Sequence, residues 1–339
     1  MTDSDVRAVD YHTAGEPFRI VADPPFELGG DGVADRRARA IVDPEVNRLR
    51  QLLCYEPRGH ADMYGAFIVP PDDDGADVGA LFWHKDGFST ACGHGTIALG
   101  VWALQTGRVV PGEAGVTEVV IDVPSGRVAA RVHANDERIT AVDFVNVESY
   151  VIADAAPVAT SRGEVTATVS FGGAIYASIE AGAAGLSVTA ERLPDLISLG
   201  REVKRALADS PHAQHPADPR LSGIYGTIIF DDLGHDAAGN LVQRNVTVFA
   251  DGEVDRSPCG SGTCARLAAL HASGQLAVGQ VLTHESIVGT RFQARVLERR
   301  TVDGRVAVIP EVTGMAYKTG EHVFSVDPSD PLTPGFVLR

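Results

Sequence analysis

The sequence has few basic residues for its size, and it is also poor in cysteine, methionine and tryptophan. Its 339 residues include 29 Lys and Arg against 45 Asp and Glu, which gives a formal net charge of −16. Binding to nucleic acid or to an anionic membrane surface depends on clusters of basic residues, and the chain shows no such cluster. We therefore expect no nucleic-acid or membrane partner, and we expect an anionic ligand to be recognised locally by backbone amides.

Long hydrophobic runs are also missing. No stretch approaches 18 uncharged apolar residues without a glycine, and residues 1–10 lack the charged and then apolar pattern of a secretory signal. Hydrophobic residues make up 44% and charged residues 22%, which is ordinary for a globular enzyme, and the length permits two domains with separate cores. The sequence therefore predicts a cytoplasmic protein.

The four cysteines are too few and too scattered for a disulfide framework. They are Cys54, Cys92, Cys259 and Cys264, and no Cys-x-x-Cys pair is present to suggest zinc. We expect reduced thiols and no metal site. Cys54 and Cys264 are interpreted as buried small hydrophobic residues, because that is the commonest environment of an isolated cysteine.

One cysteine-led motif occurs twice, half a chain apart. Cys92-Gly-His-Gly-Thr-Ile-Ala98 is matched by Cys259-Gly-Ser-Gly-Thr-Cys-Ala265, and the two are 167 positions apart. Each motif opens a helical pattern that reaches its next glycine at the same distance, at Gly107 and at Gly274. The repeat predicts two similar halves, each with a thiol at a helix N-terminus and a glycine that caps the helix C-terminus.

Both predicted helices are apolar on nearly all sides, which predicts that they are buried inside their domains. Their N-termini carry unpaired backbone N–H groups and the positive end of the helix dipole, and the glycines let a carboxylate approach closely. A partly buried helix terminus contributes up to about 2 kcal/mol, so it lowers a thiol pKa from about 8.5 to roughly 7. A pair of such thiols suits a reaction in which one group removes a proton and the other donates one.

Outside these two helices, the sequence predicts mostly short strands. It predicts an α+β fold with largely antiparallel sheet, and further helices over residues 43–53 and 193–207. The N-terminal domain is predicted over residues 1–148 and the C-terminal domain over 149–324, with a last strand near 325–339 that packs back on the first domain. Strands are predicted over 18–21, 65–69, 119–123, 127–132, 141–145, 164–169, 227–230, 245–249, 292–298 and 306–312.

The segments around both cysteines resemble the signature segments of the proline racemase family. This family includes proline racemases, hydroxyproline 2-epimerases and trans-3-hydroxy-L-proline dehydratases, and the match is carried by residues 88–96 and 255–266. The resemblance implies a diaminopimelate epimerase-like fold of two similar domains. Each domain is then a curved, mostly antiparallel sheet around a central helix, with the active site in the interdomain cleft. Supporting matches lie at 12–16, 57–65, 171–173 and 314–336.

The resemblance also implies the roles of individual residues. Cys92 and Cys259 become an acid–base pair on opposite faces of the substrate α-carbon, without pyridoxal phosphate or any other cofactor. Backbone amides at 93–94 and 260–263 would hold the substrate carboxylate, and Asp255 would accept a hydrogen bond from the ring ammonium. The implied substrate contacts are Tyr64, Gly93, His94, Phe249, Asp255, Gly260, Ser261, Gly262 and Thr263.

Two features of the match point to different reactions. Dehydratases of the family usually carry threonine at the position of Cys259, so the Cys92 and Cys259 pair favours racemisation or 2-epimerisation of proline or a hydroxyproline. Residues 89–90, Tyr64 and residues 330–332 are closer to dehydratase-like members, and Ala91 replaces a more common methionine. The alternative is therefore a trans-3-hydroxy-L-proline dehydratase. The small-molecule substrate stays open between these imino acids, as does the oligomeric state, with a homodimer as one option.

Several residues also permit a simpler interpretation. His94 is either a general base or a contributor of its backbone N–H, and Asp255 is either a substrate ligand or a cap of the turn before the helix. His60 is interpreted as structural, and the histidines and the aspartate of loop 210–220 as part of a solvated loop rather than a metal site. A thiol hydrolase would need one cysteine paired with a histidine and an oriented asparagine or aspartate, and a non-catalytic binding protein would need neither thiol.

Overall fold

The computed structural model describes residues 5–112, 115–135 and 138–338. The chain divides into two compact units, of which the first comprises the residues up to Val142 together with those from Met315 onward, and the second is Asp143–Gly314. The sequence-based boundaries at 148 and 324 lie slightly further along the chain than these. No helix among the described residues is both long enough and apolar enough to cross a membrane.

The first unit is built around α3, which packs against strands from both ends of the chain. Pairing is antiparallel for β1–β2, β3–β4, β4–β5 and β6–β7, and parallel for β2–β3 and β4–β6. The elements are β1 (Val6–Thr13), β2 (Glu16–Val21), α1 (Val33–Val42), α2 (Pro44–Cys54), β3 (Tyr64–Val69), β4 (Val78–His84), β5 (Gly87–Phe88), α3 (Gly93–Gln105), β6 (Val116–Val123), β7 (Gly126–Asn135) and β8 (Arg138–Val145), which extends past the division.

The second unit is built around α5, which packs against five strands of the unit's sheet. Pairing is antiparallel for β9–β10, β10–β11, β12–β13, β13–β14, β15–β16, β16–β17 and β17–β9, and parallel for β11–β12 and β13–β15. The elements are β9 (Ser149–Thr160), β10 (Gly163–Phe171), β11 (Ile175–Glu180), α4 (Leu193–Leu207), β12 (Ile224–His235), β13 (Leu241–Phe249), β14 (Glu253–Asp255), α5 (Gly260–Ala272), β15 (Val281–Ser286), β16 (Arg291–Val302) and β17 (Arg305–Gly314).

The chain returns to the first unit through its last strand, β18 (Ala316–Phe324). This strand pairs antiparallel with β1 along its whole length, from Val6 opposite Phe324 to Thr13 opposite Ala316. The sequence places the returning strand near 325–339 instead, and in the described part of that segment only Phe336 forms a bridge, to Glu56. The difference arises because most of β18 is exposed, so its sequence lacks the alternation of apolar residues that marks a strand.

The two repeated helices behave as their sequences predict. The first eleven residues of α3 and of α5 are buried, as expected for helices that are apolar on all sides. Each helix is followed by its predicted glycine in the left-handed conformation, with φ of 71° at Gly107 and 77° at Gly274. The predicted helices over 43–53 and 193–207 are also confirmed, as α2 and α4.

Candidate active site

Cys92 occupies the N-cap position of α3 with an extended backbone. Its side chain is 4% exposed, and its Sγ accepts a hydrogen bond from the Gly95 N–H at 3.3 Å. A Cβ on Gly95 would lie 2.8 Å from that Sγ and 2.4 Å from the ring of Phe18. Glycine at 95 therefore lets the helix amide approach the thiol, which explains why the repeated motif needs glycine three residues after its cysteine.

The His94 ring lies against the Cys92 thiol. Its two ring nitrogens are 3.5 and 3.6 Å from Sγ, and its carbonyl accepts a hydrogen bond from the Thr13 hydroxyl at 2.8 Å. Burial lowers the pKa of His94 to about 3, so the imidazole is neutral near pH 7. Its low basicity disfavours a stable thiolate–imidazolium pair, which argues against His94 as the general base.

Tyr64 completes the surroundings of His94. The edge-on contact between the two rings has a centroid separation of 5.0 Å, and the Tyr64 hydroxyl is hydrogen-bonded to Ser89. The sequence singled out both Tyr64 and Ser89 as family-like positions, and the first unit places them together. The two hydroxyls form a polar pair that a substrate hydroxyl could join.

Cys259 precedes α5 in a conformation that differs from that of Cys92. Its φ is 64° and its ψ 104°, a region that costs a residue other than glycine on the order of 1–3 kcal/mol. The side chain is 6% exposed, its backbone N–H donates to Ser257 Oγ at 3.0 Å, and its Sγ lies 3.9 Å from the Tyr176 hydroxyl. Such strain persists only where surrounding contacts fix the residue, and it is typical of functional sites.

The acidity of Cys259 differs from the sequence-based expectation. Burial raises the pKa of its thiol well above the ordinary value, and the nearby Asp255 carboxylate raises it further. The Gly262 amide of the helix lowers this pKa by a smaller amount. The expected decrease toward 7 was therefore wrong for Cys259, because desolvation outweighs the helix N-terminus. Near neutral pH this residue is therefore a thiol rather than a thiolate.

Asp255 is buried at the end of β14. Its Oδ1 accepts hydrogen bonds from the backbone N–H and the hydroxyl of Ser257, at 2.8 and 2.7 Å. Burial nevertheless raises the pKa of the carboxyl to about 6. Asp255 thus fixes the turn that leads to Cys259, as the capping interpretation requires, and it also places a buried carboxylate near that thiol.

The amides predicted to hold a carboxylate lie in the first turn of each helix, and two of them at the second helix already have partners. The amides of residues 93–94 and 260–261 precede the first i→i−4 bond of their helices. The Thr263 N–H already donates to the Cys259 carbonyl at 2.7 Å. The Gly262 N–H is hydrogen-bonded to the Cys259 thiol. The amides of Gly262 and Thr263 therefore have structural partners, and the predicted carboxylate donors at the second helix narrow to Gly260 and Ser261.

Aromatic residues near Cys259 were partly missed by the sequence reasoning. Phe249 stacks on Tyr225 with a centroid separation of 5.7 Å, and Tyr225 meets Tyr176 edge to face at the same separation. The Tyr176 hydroxyl is 2.8 Å from Ser261 Oγ. The sequence signal for this region was the family match at residues 171–173. That segment packs closely against the start of α5, because a Cβ on Gly172 would lie 2.5 Å from the Ser261 carbonyl oxygen.

The remaining sequence candidates have structural roles. Cys54 and Cys264 are fully buried, as expected. His60 accepts a hydrogen bond from the Asp62 N–H at 3.2 Å. His215 accepts backbone N–H bonds at Nδ1 and is 2.9 Å from the Tyr150 hydroxyl through Nε2, so this loop histidine anchors its loop rather than standing in solvent.

Comparison with known proteins decides the family. A model of the family described as proline racemase matches residues 8–337. The chain belongs to the proline racemase family. This assignment confirms the sequence resemblance and makes the protein a member of a family of enzymes that includes isomerases and epimerases.

Relatives within the family carry two different activities in their names. The chain is 42% identical to a trans-3-hydroxy-L-proline dehydratase from Bacillus thuringiensis, over 97% of each chain. It is 43% identical to a 3-hydroxyproline 2-epimerase from Burkholderia multivorans, over 98% of this chain and 97% of the relative. Its fold matches a solved hydroxyproline epimerase from Agrobacterium vitis that holds trans-4-hydroxy-L-proline, with a TM-score of 0.91, 31% identity, and coverage of 99% and 96%.

Proposed function

We propose that the protein is a cofactor-independent 2-epimerase or racemase of a hydroxyproline or proline. Cys92 and Cys259 take the two proton-transfer roles at the α-carbon, one as base and the other as acid, and exchange roles with the handedness of the substrate. The observation that carries the proposal is the presence of a thiol at the start of each buried helix. An inversion needs a proton donor on the second face, and Cys259 supplies one.

The substrate carboxylate is assigned to the helix starts. Amides of Gly93 and His94 and of Gly260 and Ser261 are the donors, and the helix dipoles favour the negative charge there. Negative charge develops next to these polarised N–H groups when the α-carbon loses its proton. The N–H groups stabilise that charge and so lower the barrier to deprotonation of the α-carbon. Both helices contribute in the same way because both derive from the repeated motif.

Asp255 is assigned to the ring ammonium of the substrate. A cation beside Asp255 offsets the carboxylate charge that raises the pKa of Cys259. Binding of the zwitterionic substrate thus moves the thiol toward the acidity that catalysis requires. The neutral amide of an Asp255→Asn variant lacks this effect, although it keeps the hydrogen-bonding shape.

We expect Asp255→Asn to reduce kcat/KM by about 10–10²-fold, which corresponds to the loss of a hydrogen bond to a charged group.

The effect of Asp255→Asn on stability has the opposite sign. In the wild type, the pKa of Asp255 is about 6 in the folded state, which is above its value in the unfolded chain. The folded state is therefore favoured at low pH, and this contribution to stability is lost as the pH rises through 6. The variant has no titrating group at this position and does not show the loss. The thermal unfolding temperature of the variant should therefore exceed that of the wild type at about pH 8, and the excess should shrink toward about pH 4.

Circular dichroism and turnover of the same Asp255→Asn preparation separate the two interpretations of this residue. A folded variant with weakened turnover supports the substrate contact. Loss of helical signal at 25 °C would instead make Asp255 a purely structural cap of the turn before α5.

A second candidate function is dehydration of trans-3-hydroxy-L-proline, and the names of several relatives favour it. The same α-proton is removed, the C3–O bond breaks with loss of water, and the resulting unsaturated ring tautomerises to a cyclic imine. This reaction needs one base and no proton donor on the second face. Ser89 and Tyr64 are consistent with recognition of a ring hydroxyl in either reaction.

Incubation in D₂O distinguishes the two functions. The protein is supplied separately with L-proline, trans-4-hydroxy-L-proline and trans-3-hydroxy-L-proline, and the products are resolved by chiral chromatography and mass spectrometry. We expect deuterium at the α-carbon of an inverted product from at least one of them, because the second thiol donates a proton that has exchanged with solvent. Cyclic imine from trans-3-hydroxy-L-proline, without a deuterated inverted product from any substrate, would transfer the assignment to the dehydratase.

A further inference from the structure

A network of buried polar side chains from β13, β15 and α5 lies next to the start of α5. The proposed mechanism assigns no role to it. Its members are Thr247 and Asn245 on β13, His284 on β15 and Thr263 on α5, and all four are buried. Strands β13 and β15 run parallel, with Gln243 opposite His284. Buried polar groups are costly unless paired, so a fully connected network at this position requires an explanation.

The hydrogen bonds determine the tautomer of His284. The amide nitrogen Nδ2 of Asn245 lies 2.8 Å from His284 Nε2, so Nε2 is the acceptor. The other ring nitrogen, Nδ1, then carries the hydrogen and donates to the Thr263 hydroxyl at 2.8 Å. The Thr247 hydroxyl donates to Asn245 Oδ1 at 3.4 Å, which supports this orientation of the amide. Burial lowers the pKa of His284 to about 3, in agreement with a neutral ring.

Both ends of the network reach one carbonyl. The Thr263 hydroxyl donates to the Pro258 oxygen at 3.2 Å, and Asn245 Nδ2 donates to the same oxygen at 3.1 Å. Pro258 immediately precedes Cys259, whose own carbonyl accepts from the Thr263 N–H. The peptide between Pro258 and Cys259 is therefore held from the side opposite to Ser257.

The first helix of the repeat holds its cysteine through a more direct contact. There the corresponding threonine, Thr96, donates its hydroxyl directly to the Cys92 carbonyl at 2.8 Å. Cys92 has the extended φ of −155°, which is an ordinary conformation, whereas Cys259 is held at φ 64°. The cysteine with the strained backbone is thus the one whose preceding carbonyl is held by Asn245 and Thr263, the two residues that His284 links.

We propose that His284 is the positioning residue of Cys259: its neutral ring links Asn245 to Thr263, and the three side chains together hold the Pro258 carbonyl and so fix the thiol. The role of Cys259 itself rests on the proposed function. His284 acts through the backbone and does not touch the reacting atoms.

The test compares the reactivity of two thiols in one molecule. His284→Phe keeps a ring but removes both nitrogens, and we expect kcat to fall by up to about 10²-fold as the thiol shifts. The rate of alkylation of Cys259 by iodoacetamide, measured by peptide mass spectrometry relative to that of Cys92, should rise by about tenfold, as expected for the loss of one or two hydrogen bonds. His284→Asn can place its amide nitrogen near Nδ1 and donate to Thr263, so it should recover most of the lost turnover.

His271→Phe is the matched control. His271 lies in the last turn of α5, half-buried, with Nδ1 2.9 Å from the Leu276 carbonyl oxygen. The control should leave both kcat and the ratio of alkylation rates unchanged. If His284→Phe does not fold, His284→Gln replaces it, because the longer amide cannot reach the Nδ1 position.

The outcomes separate this proposal from the proposed function. An unchanged ratio of Cys259 to Cys92 alkylation in the folded His284 variants, or an equal increase at both thiols, would overturn the positioning role. Absence of α-carbon exchange in the wild type would count against the proposed function, and the alkylation ratio would still report on His284.

Discussion

Cys92→Ser and Cys259→Ser are each expected to abolish inversion of the substrate. A serine hydroxyl is too weak an acid to form its anion near neutral pH, and a general acid or base contributes about 10²–10⁴-fold to the rate. Turnover of each variant with the best substrate, followed by chiral chromatography, measures the loss. Retention of more than about a tenth of wild-type turnover by either variant would contradict the two-thiol mechanism.

Cys264→Ser is the matched control for these variants. Cys264 is buried within α5, close in sequence to Cys259, and it has no role in the proposed reaction. The same substitution there should leave turnover within about twofold of the wild type, with any cost confined to stability. A Cys259→Ser variant that still dehydrates trans-3-hydroxy-L-proline, beside an inactive Cys92→Ser variant, would identify a dehydratase with a single base.

Gly262→Ala is expected to give the second largest effect. The added Cβ would lie 2.9 Å from the Cys259 Sγ and 3.2 Å from its Cβ, while the other close neighbour is the flexible end of Ile228 at 3.3 Å. The thiol must therefore move, and a misplacement approaching 1 Å costs about 10²-fold in kcat. Stability should change little, because alanine favours a helix by about 1 kcal/mol over glycine and offsets part of the clash.

Gly182→Ala is the control for that substitution. A Cβ at Gly182 would meet only a side-chain oxygen of Glu180, at 3.8 Å, which is an ordinary contact. Both kcat and the thermal unfolding temperature should match those of the wild type. If Gly262→Ala also retains wild-type kcat, the position of the Cys259 thiol does not limit the reaction.

The sequence predicted those elements whose pattern is strong. Each of the ten predicted strands lies within a strand of the structure, because each has a run of apolar or alternating residues. The strand β4 was missed although all seven of its residues are buried, as are all six residues of the predicted strand β3. The helix α1 was missed because its sequence contains four charged residues and its N-cap glycine makes no side-chain hydrogen bond.

The site was predictable to the level of residue type but not of conformation. The repeat identified both cysteines, and the resemblance identified Asp255 and Tyr64. The two similar motifs nonetheless hold their thiols differently, since backbone strain and desolvation depend on contacts that are distant in sequence. His284 illustrates this, because nothing in its local sequence connects it to Cys259.

The pairing of β1 with β18 has a consequence for synthesis of the chain. The whole second unit lies between β1 and β18 in the sequence, so at about 5–20 residues per second β18 is synthesised on the order of tens of seconds after β1. The second unit is continuous in sequence and can complete its contacts during that interval. The first unit must keep one edge of β1 unpaired until β18 has been synthesised, so the nascent chain is most exposed to misassembly in the half that carries Cys92.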